Sequence, residues 1–262
     1  MQIPAGLVIN GFEIFLLVFV RMTGLFVVAP IFGRRNIPVY FKIGFALFTS
    51  LILVNTTVLQ TVQYDESILG YALLIMKEFL IGLSMGYVAY LTYTAIYIAG
   101  EIIDMQIGFG VVNVMDPISN IQVPITSNIY FIISMLLFLT MDGHHMLIRA
   151  LFDSFSSLPP GKAVFNAGIS DIVQGIFSSV LATGVRIAAP IVATVLILDV
   201  ALGTISRMVP QMNIFVIGMP LKIIIGLIII TITIPLFVSV MQSIFELMDT
   251  GVADYLKELN PG

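Results

Sequence analysis

The chain of 262 residues consists mostly of apolar side chains: 59% are hydrophobic, only 10% are charged, and the mean hydropathy is +1.09. Soluble domains carry about 25% charged residues, so this composition excludes a water-soluble domain and predicts an integral membrane protein. The net charge of -4 gives no positive field for nucleic acid, which we do not expect as a partner. Without cysteine the chain has no disulfides or thiolate metal sites.

Six apolar runs predict about six long helices, since one helical crossing needs roughly 20 residues. The widest polar stretch, residues 141–168, contains paired prolines and places a boundary near residue 160. If the runs cross a membrane in alternate directions, five basic loop residues lie on one side and four on the other. Basic residues are usually in clear excess in cytoplasmic loops, so this count does not decide the orientation. We therefore predict an all-α membrane-associated fold that is not a conventional multispan bundle. The runs cover residues 12–32, 43–59, 68–100, 125–141, 187–206 and 212–245.

Two charged residues lie near the middle of apolar runs, Arg21 in the first and Asp199 in the fifth. Each costs about 2.5–3.5 kcal/mol at a helix centre unless it finds a partner. One interpretation is that each snorkels or meets a backbone carbonyl. The other is that the two pair with each other or with another subunit.

The third run carries a stripe of small and polar residues, spaced three or four apart on one helix face. Its two glycines form a GxxxG motif that lets another helix approach closely, and its tyrosine hydroxyls can hydrogen-bond across such a contact. The face packs either within this chain or against another subunit. Its members are Gly82, Gly86, Tyr90, Tyr93, Tyr97, Glu101 and Asp104.

Residues 105–124, with the sequence MQIGFGVVNVMDPISNIQVP, suit neither a membrane span nor an aqueous loop. Their only charge is Asp116, which with Pro117 is typical of a helix start. Irregular backbone at membrane depth is tolerated inside protein or against a water-filled cavity, so we predict a deformable apolar plug in a pore; the alternative is a surface loop dipping into headgroups. The predicted plug residues are Gln106, Ile107, Gly108, Phe109, Gly110, Val111, Val112, Asn113, Val114 and Met115.

Catalytic and metal-binding patterns are weak. The two histidines, His144 and His145, are adjacent and should point to different helix faces, unlike the i, i+4 pair of a zinc protease. Asp142 could add a ligand, but we predict no metal site, no cofactor and no enzymatic activity. Glu101 and Asp104 share a face without a nearby nucleophile in the sequence, and no nucleotide-binding or hydrolase motif is present.

An ordered set of residues across nearly the whole chain resembles the FliR family of flagellar export-gate proteins, whose virulence-secretion counterparts are called SctT. The resemblance covers the stretches 20–47, 100–131 and 137–161. The residues that carry it are Arg21, Ala29, Pro30, Pro38, Gly100, Glu101, Asp104, Gln106, Gly108, Phe109, Gly110, Asp116, Pro117, Gln122, Gly143, His144, His145, Ser154 and Phe155.

The resemblance implies a single copy assembled with several FliP and FliQ subunits, and contact with the larger FlhB and FlhA export proteins. It implies that residues 1–160 form a FliP-like half whose loop 106–122 plugs the channel, and that residues 161–262 form a FliQ-like helical hairpin. The gate would sit in the bacterial inner membrane within the flagellar basal body, project largely to the periplasmic side, and export unfolded flagellar proteins.

The alternative function is a proton- or ion-coupled secondary transporter. Its path would use the charged residues inside the apolar runs, namely Arg21, Glu101, Asp104 and Asp199. Inverted repeats would favour a transporter, and none is visible in the sequence.

Overall fold

The structure is a computed structural model that describes residues 5–34, 36–56, 68–109, 124–211 and 213–260. All regular secondary structure within these ranges is α-helical, which confirms the predicted all-α fold. The helices are α1 (Ala5–Val28), α2 (Val39–Thr56), α3 (Ile68–Ile107), α4 (Ile125–Thr140), α5 (Gly143–Ser157), α6 (Gly168–Met208) and α7 (Ile214–Leu259).

The described ranges hold seven helices where six were predicted, because amphipathic segments escape a search for apolar runs. Helix α5 lies inside the polar stretch that the sequence suggested as a boundary. It buries Leu147, Leu151 and Phe155 at a spacing of four, and its exposed positions, which include Arg149 and Asp153, are polar. Helix α6 begins at Gly168 rather than near residue 187 for the same reason: its first turns include Asp171 and several small polar residues.

Four helices are long and apolar enough to cross a membrane, and α4 with α5 would make a fifth as one broken span, among the described residues. Helices α3, α6 and α7 contain 40, 41 and 46 residues. At about 1.5 Å per residue they extend over about 60–70 Å, roughly twice a hydrocarbon core. Each is therefore longer than one perpendicular crossing needs.

The chain divides into two compact units, each built from separated segments. Unit 1 consists of Met1–Thr92, Asp142–Phe177 and Glu246–Gly262, and unit 2 of Tyr93–Met141 and Ser178–Phe245. Helices α3, α6 and α7 each contribute to both units. This is a division by packing, whereas the boundary near residue 160, inferred from the polar stretch 141–168, stays a prediction.

Within unit 1, α1 and α3 approach each other at three glycines. A Cβ atom on Gly82 would overlap the backbone of Arg21, and one on Gly86 would lie 2.7 Å from the carbonyl oxygen of Leu25. From the other helix, a Cβ on Gly24 would lie 2.5 Å from the carbonyl oxygen of Phe79. The two glycines of the predicted GxxxG motif thus serve a helix contact inside this chain.

A pair of glycine substitutions tests this contact. Gly82→Ala should lower stability by about 1–3 kcal/mol, because the added methyl group overpacks the α1–α3 interface. Gly44→Ala on α2 is the matched control, since a Cβ there meets nothing within 4 Å; it should raise stability by up to about 1 kcal/mol by favouring the helix. Thermal unfolding of the detergent-extracted full-length chain, followed by circular dichroism, measures both. Equal midpoints for the two variants would contradict the contact.

Candidate functional site: buried charges and the base of the apolar loop

Arg21 on α1 is fully buried and forms an ion pair with the fully buried Glu78 on α3. The carboxylate atom Oε2 of Glu78 lies 2.7 Å from Nε of Arg21 and 2.6 Å from Nη2. A guanidinium presents its N–H groups as a fork, so two of them share one carboxylate oxygen here. A charge in the middle of an apolar run needs a partner, and for Arg21 that partner is Glu78 of the same unit.

The remaining N–H groups of Arg21 bind the C-terminal end of α5. Its Nη1 donates to the carbonyl oxygens of Ser154 at 3.2 Å and Leu158 at 3.1 Å, and to the Ser154 hydroxyl at 3.1 Å. Its Cζ lies 4.1 Å from the ring centroid of Phe155. The last carbonyls of a helix carry partial negative charge, which the guanidinium neutralises. The carbonyl oxygen of Ser154 is shared between Arg21 and the backbone N–H of Leu158.

Glu78 fixes the chain just beyond α5. Its Oε1 accepts a hydrogen bond from the backbone N–H of Gly161 at 2.9 Å. Gly161 has a φ of +87°, a conformation that a glycine adopts without strain. These contacts join α1, α3 and the segment after α5 at one polar centre inside unit 1. We call it the Arg21 cluster, and its members are Arg21, Glu78, Ser154, Phe155, Leu158 and Gly161.

Asp199 on α6 pairs with Lys222 on α7, and both residues belong to unit 2. Their side chains are 38% and 27% exposed, so this pair is far less buried than that of Arg21. Arg21 and Asp199 therefore have separate partners. The sequence left open a direct pair between Arg21 and Asp199, and the structure has two separate ion pairs instead.

The stripe on α3 is divided between two contacts. Gly82 and Gly86 face α1 in unit 1, whereas Tyr93, Tyr97 and Asp104 contact α4 in unit 2. Tyr93 is buried and donates to the carbonyl oxygen of Ser134 at 2.9 Å. Tyr90 and Glu101 are exposed in the chain. Most of the stripe thus packs within the chain, and these two residues are its exposed members.

Asp104, at the end of α3, caps the beginning of α4. Its carboxylate oxygens accept hydrogen bonds from the backbone N–H of Thr126 at 3.2 and 3.1 Å, and from the Thr126 hydroxyl. Helix α4 has Pro124 at its N-cap and no side-chain cap of its own. A carboxylate at a helix N-terminus satisfies unpaired N–H groups and complements the helix dipole. Asp104, only 5% exposed, therefore supplies the missing cap from a different helix.

One turn earlier, α3 and α4 are in backbone contact. Gly100 leaves no room for a Cβ atom beside the backbone of Ser127. The hydroxyl of Ser127 donates to the carbonyl oxygen of Tyr97 at 3.1 Å. The two ends of the apolar segment are thus held side by side. We call this contact the loop base, and its members are Tyr97, Gly100, Asp104, Thr126 and Ser127.

The plug residues fall partly inside the described ranges. Helix α3 ends at Ile107, and Gly108, with a φ of +101°, turns the chain away from it. Gln106 and Phe109 are half-buried. Ile107 is fully buried and packs against Gly226, so in this structure it belongs to the core of unit 2 and not to an exposed seal. The residues outside the described ranges are Gly110, Val111, Val112, Asn113, Val114 and Met115, with Asp116 and Pro117.

Three partners of the predicted residues were missed from the sequence. Glu78 and Lys222 are charges inside apolar runs, so the criterion that selected Arg21 and Asp199 applies equally to them. Thr126 lies two positions after Pro124, and nothing in the local sequence marks its N–H and hydroxyl as the groups that bind Asp104. Which charge pairs with which residue is a tertiary property, and for Arg21 and Glu78 the partners lie 57 positions apart.

Among the described residues, one group has donor atoms close enough together to hold a metal ion, namely Asp142, His144 and His145. It lies at the start of α5 and shares no residue with the loop base or the Arg21 cluster. The residues of those two centres are carboxylates, hydroxyls, one guanidinium and backbone groups, which suit structural hydrogen bonding.

Removing Arg21 should destabilise unit 1 strongly. Arg21→Ala leaves the carboxylate of Glu78 buried without a counter-charge, which typically costs about 3–5 kcal/mol. Arg21→Lys should retain only part of the stability, because an ammonium cannot bind Glu78 and the α5 carbonyls as a fork. Arg149→Ala, at an exposed position of α5, is the control and should change stability by less than about 0.5 kcal/mol. Thermal unfolding in detergent would contradict the account if Arg21→Ala matched Arg149→Ala.

The sequence profile of the family described as Bacterial export proteins, family 1, matches residues 12–248 of the chain. The flagellar biosynthetic protein FliR of Bacillus subtilis is 36% identical over 244 residues, which cover 92% of this chain and 93% of that protein. FliR of Escherichia coli is 31% identical over 240 residues, 91% of each chain. FliR of Aquifex aeolicus is 32% identical over 234 residues, 88% of this chain and 89% of that protein.

The family match spans nearly all of the described helices, and the similarity to the relatives is continuous and nearly full-length. The all-helical, strongly apolar architecture agrees with an export protein embedded in a membrane. The chain belongs to family 1 of the bacterial export proteins, the family of the flagellar biosynthetic protein FliR.

Proposed function

We propose that this chain is a component of the flagellar type III protein export gate and forms part of its pore and the plug of that pore. Unfolded flagellar proteins would be the substrates. A role in flagellar export follows from the family, and the observation that supports the finer role is the loop base. There, Asp104 and Thr126 hold the two ends of a strongly apolar segment next to each other.

A segment fixed at both ends and free of charge over most of its length suits a seal. The fixed base keeps the segment at one place, while glycines and flexible Met side chains let its apolar tip deform. A hydrophobic constriction stops ions because water leaves it, and an unfolded chain can displace it. These properties meet both demands on an export gate, namely closure to ions and passage of a polypeptide.

The proposed assembly contains FliP and FliQ subunits, with FlhB and FlhA family proteins nearby, in the inner membrane of the flagellar basal body. Two observations support an assembly. Tyr90 and Glu101 leave a polar surface exposed on an apolar helix, which another subunit can cover more favourably than lipid can. Helices of 40 to 46 residues exceed one crossing, which supports projection of part of the gate beyond the membrane. The periplasmic side is the direction that the resemblance to the FliR family implies.

The charged residues favour a gate component over an ion-coupled transporter. Of the four residues considered for an ion path, Arg21 binds Glu78, Asp104 binds Thr126 and Asp199 binds Lys222. Each contact joins two helices or a helix and a loop end, as a structural role requires. We propose no catalytic function for these groups.

Deleting residues 110–121 tests the plug directly. The deletion spares Asp104, the buried Ile107 and Gly108, so the loop base and the core of unit 2 should form and the gate should assemble. Without its apolar tip, the gate should conduct ions, and cells that overproduce it should take up small molecules and grow poorly. Conductance of the purified gate in planar bilayers and dye uptake by cells measure the leak.

Two further variants separate the apolar character of the loop from its length. Replacing Val111, Val112, Val114 and Met115 by serine keeps the length and should also cause a leak. Phe109→Ala, at the edge of the segment, should cause a smaller one. An assembled deletion gate that is as impermeable as the wild type would overturn the proposal, because the seal would then belong to other subunits.

A further inference from the structure

The two histidines of the chain lie together at the start of α5, which corrects the expectation that they point to different faces. The ring centroids of His144 and His145 are 4.1 Å apart, with an angle of 35° between the ring planes. They sit in the first turn of the helix, where the chain has just left Asp142, a residue with a left-handed φ of +57°. Both residues are helical, so their rings meet through the directions that the two side chains take and not through a shared helix face.

Asp142 completes a group of three ligand-type side chains. One ring nitrogen from each histidine and one carboxylate oxygen lie within 4.8 Å of one another. Oδ1 of Asp142 is 3.0 Å from Nδ1 of His145. Zn²⁺ holds nitrogen and oxygen donors at about 2.0–2.2 Å, so small side-chain rotations bring three such atoms to a shared ion.

His144 adds an observation independent of the spacing. Its Nδ1 atom is buried and has no hydrogen-bond partner among the described residues. Buried polar atoms in folded proteins are nearly always satisfied, and an ion is one of the groups that satisfy them. Asp142 and His145 are exposed, so an ion can reach the group from solvent.

We propose that Asp142, His144 and His145 bind one divalent transition-metal ion of the zinc class. Imidazole nitrogen with a carboxylate oxygen is a donor set that favours Zn²⁺, Co²⁺ or Ni²⁺, whereas Ca²⁺ and Mg²⁺ prefer oxygen ligands alone. Three protein ligands leave a fourth position for water. Bound metal joins residue 142 to the first turn of α5 and so stabilises the beginning of the helix.

The composition of the chain makes this site easy to test. With two histidines and no cysteine, the chain has no other imidazole or thiolate ligand. The full-length protein, extracted from membranes together with its accompanying subunits and carrying a tag without histidine, is dialysed against Zn²⁺ and passed through gel filtration. Retained metal is measured by mass spectrometry, and Co²⁺ binding by its visible absorption.

We expect about one more equivalent of Zn²⁺ on the wild-type complex than on His144→Ala or His145→Ala complexes, with the affinity of each variant about tenfold or more lower. Asp142→Asn should weaken binding as well. Asp153→Asn, an exposed acid on the same helix, is the control and should leave binding unchanged. Excess Mg²⁺ should not compete.

Equal Zn²⁺ retention by the wild type and both histidine variants would overturn the proposal. Should the variants fail to fold, the wild type alone still decides. Zn²⁺ should protect the peptide that contains His144 and His145 from modification by diethylpyrocarbonate, as read by mass spectrometry, and unchanged modification rules the site out.

Discussion

A charge buried in an apolar helix must find its partner inside the protein, and this constraint shapes both polar centres of the chain. Water cannot solvate the guanidinium of Arg21, so its N–H groups bind Glu78 and the last carbonyls of α5. The carboxylate of Asp104 likewise binds the first N–H groups of α4. In both cases a side chain of one helix satisfies the open end of another. Buried charge thus fixes the segment that follows α5 and the start of α4.

This arrangement bears on how the apolar segment between α3 and α4 could act as the proposed seal. The segment between α3 and α4 is mostly apolar in sequence, so polar contacts that fix its ends have to come from the helices beside it. The loop base supplies them, because Asp104, Thr126 and Ser127 join α3 to α4 where the loop leaves and returns. In the proposed gate, a fixed base with an apolar tip would permit closure around polypeptides of different shape. The Arg21 cluster plays the equivalent part for the segment that follows α5.

Much of this could be predicted from local sequence patterns, and the rest required tertiary information. Hydropathy identified the long helices, and spacing on α3 identified a packed face that proved to contact α1 and α4. The same methods missed α5, whose apolar side chains Leu147, Leu151 and Phe155 lie among polar ones. A lone charge such as Arg21 indicates that a partner exists, but nothing local selects Glu78. Capping of α4 by Asp104 was missed for the same reason, since the capping carboxylate belongs to a different helix, α3.

The central proposal is that the contact between Asp104 and Thr126 positions the apolar segment as the seal of a pore. The most direct test is the ion conductance of purified gates carrying Asp104→Ala, Thr126→Val or both substitutions. If the two side chains act through one contact, each single substitution raises the conductance, and the double substitution raises it little beyond Asp104→Ala. Assembled Asp104→Ala gates that conduct no more than the wild type would contradict the claim.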